Sequence, residues 1–237
     1  MINFFRRIRK KLADDNKPLK YMRYAIGEIL LVVIGILIAL QINNWNEEQK
    51  EYILEREYLK GIKDDLAQDV VQATAIVNSI TPKLNIIKFL EPGFNLSPSY
   101  KTKNIDTTSI DFINLFERNV SFRSTRGSYS SLIADGKANL TKNRILFQKI
   151  QRIYDELYPR IYSLYGDFKL RENSLSTTYS YEKFHWDYNS IQKAGNEKII
   201  ADLANFWDLA HFYCIFLDDS IVEVKNLIND IELEIEK

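Results

Sequence analysis

With 237 residues, 46% of them apolar, and only eight Gly and five Pro, the chain suits one domain of ordinary size plus a segment left over for anchoring, and it is not the composition of a disordered or loop-rich protein. Cys214 is the single cysteine, which excludes an intramolecular disulfide framework and a thiolate metal cluster. Basic and acidic side chains balance at 32 each, yet the positive charge is concentrated at the N-terminus, beside a long apolar run, and that arrangement points to a membrane.

The first predicted element is a basic tail over residues 1–23. In INFFRRIRKKL, Phe5, Ile8 and Leu12 fall on one side of a short helix, and Arg6, Arg7, Arg9, Lys10 and Lys11 surround them. Such a segment lies in the anionic cytoplasmic leaflet. Because it is tethered beside the bilayer, its charge needs no nucleic acid as partner. The Arg6–Arg7 pair resembles a twin-arginine signal, but Asp14, Asp15 and Pro18 separate it from the apolar run, so these arginines read as topology determinants.

A transmembrane helix is expected over 24–43. From Ala25 to Ile42 the chain reads AIGEILLVVIGILIALQI, which as a helix spans roughly 27 Å, close to the hydrocarbon thickness of a bilayer. Tyr21, Tyr24 and Trp45 flank it at headgroup level. The basic excess on the N-terminal side keeps that end in the cytoplasm and puts residues 44–237 on the far side. A buried core helix would not carry such flanks, and the run does not end in the small residues a signal peptidase requires. Glu28, Gly35, Ala39 and Asn46 share one face of this helix at 100° per residue. Small residues allow close approach between helices, so the stripe reads as an association face with polar contacts at its ends. The competing reading has Glu28 reaching the headgroups to pair with Arg23 or Lys20.

FFRRIRKKL followed by RYAIGEILLVVIGILIALQINNWNEE resembles the N-terminal signature of a family of uncharacterised single-span membrane proteins from Bacteroidetes. SYSSLIADGKANLTKNRILFQKIQRIYDEL at 128–157 resembles a mid-domain segment of the same family. The resemblance implies a Gram-negative inner-membrane location with the large domain in the periplasm. It carries over no catalytic residues.

Beyond Asn43, Leu59, Ile62, Leu66, Val70, Ala73, Val77, Ile80, Leu84 and Ile87 keep a 3–4 spacing that predicts one long amphipathic helix. Pro82 should kink it, and Glu91-Pro92-Gly93 should end it in a polar loop reaching about Thr108. Short helices are expected near 109–118 and 126–135, with 118–124 the one stretch of extended character and Gly136 and Asn139 marking a turn. Leu146, Ile150, Ile153, Leu157, Ile161, Leu164 and Phe168 predict another long helix, kinked at Pro159. A Ser, Thr and Tyr-rich connection should fill 173–196. The last helix carries Leu203, Phe206, Ala210, Tyr213, Leu217, Ile221, Val224, Ile228, Ile231 and Ile235. The expected fold is therefore all-α: a single N-terminal transmembrane helix followed by a long-helix antiparallel bundle or coiled hairpin, with the first and last long helices paired.

Candidate chemistry is sparse. Tyr154, Tyr158, Tyr162 and Tyr165, with His185, Trp186, Trp207 and Phe212, suit either a ligand-pocket wall or a wide core face, and the core reading is favoured. Glu182–His185 and Asp208–His211 have the i, i+3 spacing of bundle metal sites but lack further inward acidic ligands. Asp64–Asp65 and Asp218–Asp219 read as solvated faces. Phosphate-binding, dinucleotide and nucleophile-elbow motifs are absent from the sequence, so no cofactor is expected and an enzyme is unsupported. The expected partners are the lipid bilayer and, through the span, a second copy or another membrane protein. Three classes remain: a membrane-anchored non-catalytic interaction or scaffold protein, a periplasmic ligand-sensing module that signals through a separate membrane partner, and an enzyme with an unrecognised site.

Overall fold

A computed structural model describes residues 18–90, 116, 119–138, 141–185 and 197–237. The basic segment Arg6, Arg7, Arg9, Lys10 and Lys11, the stretch after Leu90 expected to be a polar loop, and Trp186 lie outside the described residues, as do the side chains of Tyr21, Leu84, Ile87 and His185. The described elements are all helical: α1 (Pro18–Leu90), α2 (Gly127–Ala134), α3 (Arg144–Gln151), a π-helical turn (Arg152–Leu157), α4 (Tyr158–Thr178), the one-turn α5 (Glu182–His185) and α6 (Glu197–Ile235). No strand occurs among the described residues.

The chain divides into two compact units, Met1–Leu54 and Glu55–Lys237. In the first, α1 is long and apolar enough to cross a membrane. Its apolar side chains point outward all round the helix, from Ile26 to Ile42, with Leu31 72% exposed. Near the end of the run Asn43 Nδ2 donates to Glu47 Oε1 at 3.1 Å, an i, i+4 pair on the helix surface.

The second unit is a bundle of three long helices. Along α1 the expected stripe is buried: Leu59, Ile62, Leu66, Ala73, Val77 and Ile80, joined by Ile76, with Val70 partly covered. The helix runs on through position 82 and its last described residue is Leu90, just before the expected stop at Glu91-Pro92-Gly93. On α6, Leu203, Phe206, Ala210, Tyr213, Leu217, Ile221, Val224 and Ile231 are buried as the periodicity predicts, and Ile228 and Ile235 are partly buried against them. The two helices are antiparallel: Lys63 pairs with Glu232, and twenty residues further along α1 the Lys83 ammonium lies over the Trp207 ring. The α3–α4 rod is antiparallel to α6 as well, with Lys149 on Asp230, Arg152 on Glu223 and Phe168 stacked on Phe206.

Two expectations are corrected here. Of the predicted stripe on the α3–α4 rod, Leu146, Ile150, Ile153, Ile161 and Phe168 are buried and Leu157 and Leu164 only partly so, while Tyr154 and Tyr158 join the inner face across a π turn, which puts extra residues into one revolution. Its closing bond runs from Tyr158 N–H to the Ile153 carbonyl, immediately before Pro159, whose missing N–H would interrupt an α-helical ladder in any case. The connection also begins later than composition predicted. Helix α4 continues to Thr178 and buries Glu172 and Leu175, so burial overrides the modest helix propensity of its Ser and Thr residues.

Of the expected short helix at 109–118, only Phe116 is described, as a buried turn residue. The next, α2, forms where expected and closes on Gly136 at φ +65°. The Gly136 and Lys137 N–H groups donate back to the Ile133 and Leu132 carbonyls at 3.1 and 3.0 Å, a C-terminal stop that suits glycine. Asn143 starts α3 by accepting the Leu146 N–H.

Candidate functional site

The most constrained feature of the second unit is the irregular strap 119–126, which leads into the first turn of α2. It has no regular partner for its backbone, so its N–H groups must find acceptors elsewhere. Three helices supply them as side chains. From α1, Gln72 Oε1 accepts Arg123 N–H at 2.7 Å, Asp69 Oδ1 accepts Thr125 N–H at 2.6 Å and Asp65 Oδ2 accepts Ser128 N–H at 2.9 Å. The α4 acceptors are Glu172 Oε1 for Asn119 N–H at 3.0 Å and the Tyr162 hydroxyl for Ser124 N–H at 2.7 Å. On α6 the Tyr213 hydroxyl accepts Phe122 N–H at 3.0 Å.

The α1 contacts belong to a longer polar row. Glu55 accepts Lys142 N–H at 2.9 Å and Tyr58 donates to Asp135 at 2.5 Å. Residues 55, 58, 65, 69 and 72 lie on one flank of the buried stripe. Asp65 is thus a structural acceptor rather than part of a solvated pair, which corrects the reading of Asp64–Asp65; Asp218 and Asp219 are exposed as expected. Gly61 sits in the same row, where a Cβ would meet Ser128 Oγ at 2.6 Å and Ser128 Cβ at 3.0 Å. A side chain there would push the start of α2 away.

At the end of the bundle far from the chain's apolar run in sequence, the strap enters a buried charged centre. Glu172 is 0% exposed. Its Oε1 also accepts Asn119 Nδ2 at 2.6 Å, and its Oε2 accepts the Lys169 ammonium. Lys83, 8% exposed, donates to Asn119 Oδ1 at 2.8 Å, and the Tyr165 hydroxyl donates to the Asn119 carbonyl at 3.2 Å. Desolvation lowers the Lys83 pKa to about 8 although Glu172 opposes it. An amine in that range is suited to nucleophilic or base chemistry. Here its Nζ is buried and engaged with the Asn119 amide, a geometry that clamps α1 and α4 to the strap.

The tyrosines form the bundle's central packing. Tyr154 stacks on Tyr129 at 4.5 Å and meets Tyr158 edge-on at 5.4 Å, and Phe122 of the strap packs on Tyr158 at 5.1 Å. Burial, then the carboxylate of Asp69, pushes the Tyr154 and Tyr158 hydroxyls well above the usual phenol range. Tyr162 and Tyr165 lie at the edge of the cluster, Trp207 is wholly buried and Phe212 is exposed. The favoured core reading therefore describes Tyr154, Tyr158 and Trp207 and fails for Phe212. His211 is buried while Asp208 is exposed, and burial lowers the His211 pKa against a weaker effect of Asp208. Among the described residues no group of three or more His, Cys, Asp or Glu side chains is placed to hold a metal ion.

The sequence-predicted association face lies on α1. At Gly35 a Cβ would find open space, with nothing within 4 Å; Ala39 and Asn46 are exposed, and Glu28 is half-exposed. The strap, Lys83, Asn119 and Glu172 escaped sequence reasoning. Their one signal was misplaced charge: Asp69 falls three residues after Leu66, and Glu172 lies between Phe168 and Leu175 on the apolar side of its helix.

None of the curated proteins and none of the solved structures matches the chain. The family of unknown function DUF6090 matches it over residues 28–220, from within the apolar run to late in α6. By that match, which covers most of the span and nearly all of the helical bundle, the chain belongs to the family of unknown function DUF6090.

Proposed function

We propose that this protein is a membrane-anchored, non-catalytic interaction or scaffold protein of the bacterial inner membrane. Residues 24–43 cross the bilayer, the basic tail 1–23 stays in the cytoplasm, and residues 44–237 present a helical bundle in the periplasm. The observation that carries the reading is the run from Ile26 to Ile42, whose apolar side chains are outward-facing around the whole helix. Such a surface is stable in lipid or against another apolar helix and costly in water.

The bundle supports an interaction role over ligand sensing. Tyr154, Tyr158 and Trp207, the residues with the best claim to a pocket wall, are packed into the core. Within the membrane, the stripe Glu28, Gly35, Ala39 and Asn46 is the proposed contact with a second copy or another span.

Crosslinking and affinity capture of the full chain from its native membrane tests both parts. Wild type should recover a specific membrane partner or a dimer, Glu28→Leu should lose it, and Gly35→Ile should weaken self-association of the span in a reporter assay. Unchanged signal in both variants would sink the association face, and fractionation of the full chain as a soluble protein would sink the anchor.

A further inference from the structure

Past its apolar run, the first unit continues as helix with every side chain from Gln41 to Ile53 exposed, Ile42 and Trp45 at 61% and Ile53 at 56%. A helix draws most of its stability from packing an apolar side, and on this one Ile42, Trp45 and Ile53 fall within about 80° of one another. That side has a regular period. Gly35, Ala39, Ile42, Asn46, Gln49 and Ile53 follow one another at alternating spacings of four and three residues, the pattern by which two helices stay in contact as they wind around each other. At 100° per residue Glu47, Glu48 and Glu51 lie on the opposite side of the helix. Lys50, the one basic residue between positions 43 and 53, flanks the seam on one edge and Trp45 flanks it on the other.

We propose that residues 35–53 pair with the same residues of a second copy of this chain, as a parallel two-stranded coiled coil that runs from the bilayer into the periplasm. The inference rests on the anchored reading above and names the partner which that reading left open. Two copies inserted by the same topology signals are parallel, with identical residues at the same height. Within the bilayer Gly35 and Ala39 let the backbones approach closely. Beyond it Asn46 meets Asn46 of the second copy, and because the amide carries both donors and an acceptor, the pair satisfies itself. A buried Asn at one seam position is also the device that fixes the register of such a pair. Trp45 of each copy faces Lys50 of the other, an aromatic ring against a cation. The three glutamates point away from the partner, so pairing brings no like charges together. A basic partner, by contrast, would be drawn to the glutamate side and leave Ile42, Trp45 and Ile53 in water.

Cysteine crosslinking of the full chain in its native membrane tests the pairing. In a Cys214→Ala background, one set of single variants carries Asn46→Cys, Gln49→Cys or Ile53→Cys, and the other carries Glu47→Cys, Glu48→Cys or Glu51→Cys. Mild oxidation should give a disulfide-linked dimer from the first set, whose paired Cα atoms come within the roughly 4.4–6.8 Å that a disulfide spans, and several-fold less from the second. Equal yields from both sets, a dimer favoured on the glutamate side, or an adduct with a different protein at the seam overturns the pairing. Fractionation of the same samples reads the anchor separately. A chain retained in the membrane that forms no seam dimer overturns the pairing alone; a chain recovered as soluble overturns both, because the parallel register depends on insertion.

Discussion

Truncating Glu172 should be among the most damaging single changes in the second unit. Its carboxylate is 0% exposed and accepts from Asn119 N–H, Asn119 Nδ2 and the Lys169 ammonium, while holding Lys83 by charge. In Glu172→Ala the Asn119 donors lose their acceptor and Lys83, only 8% exposed, loses the opposing charge. Removing one partner from a buried charged pair costs about 3–5 kcal/mol, a large share of a total stability of roughly 5–15 kcal/mol. For a domain of this size the melting temperature should fall by on the order of 10 °C. Glu172→Gln keeps an acceptor for Asn119 and should lose less, about 1–3 kcal/mol. Combining Glu172→Leu with Lys83→Met removes both charges and should recover most of the loss. Thermal and urea unfolding of the full chain in detergent micelles, followed by far-UV helicity, reads all three. A cost below about 1 kcal/mol for Glu172→Ala, or equal costs for Ala and Gln, would refute the reasoning.

Three further outcomes follow from the same contacts. Desolvation raises the Asp69 pKa against the hydrogen bond from Thr125, so the folded state holds the proton more tightly than the unfolded chain. The carboxylate is then least costly at low pH and loses stability for the fold as pH rises through the raised value. Asp69→Asn should therefore gain on wild type between pH 4 and pH 7 in urea midpoint, and a constant difference would contradict this. Lys83 has the opposite dependence: its pKa lies near 8, below its ordinary value, so its burial penalty is relieved as pH rises from about 8 toward 10.5. Wild-type stability relative to Lys83→Met should climb over that window. Gly61→Ala would gain about 1 kcal/mol in an open helix, but its Cβ would meet Ser128; the variant should unfold earlier than wild type, and Ser128→Gly should restore it. A simple gain in the single variant would show that α2 has room to move.

The sequence made the helices legible wherever one periodicity governed the burial. Leu59 to Ile80 on α1 and Leu203 to Ile231 on α6 recur at 3–4 spacing, and that is the face the bundle buries. The α3–α4 rod was legible in extent and in most of its inner face, from Leu146 to Phe168, but the π turn before Pro159 lets Tyr154 and Tyr158 share that face, which no fixed period contains. The end of α4 was misplaced because Ser and Thr report weak local propensity, whereas Leu175 and Tyr179 report burial in a partner's surface. The polar centre was illegible for a different reason. Asp65, Asp69 and Glu172 resemble solvated acids until the strap's N–H groups are brought to them, and those partners lie 53 to 63 residues away along the chain.

The strap also has a kinetic meaning. Its amides are divided among acceptors on α1, α4 and α6, so a folding intermediate with any one of these helices undocked would leave buried amides without acceptors. Helix pairs can form early by local contacts, but the strap can settle only after all three have converged, through contacts 38 to 91 residues apart whose closure is entropically slow. The strap is therefore a reporter of the whole unit: its amides are all satisfied only when α1, α4 and α6 are docked together.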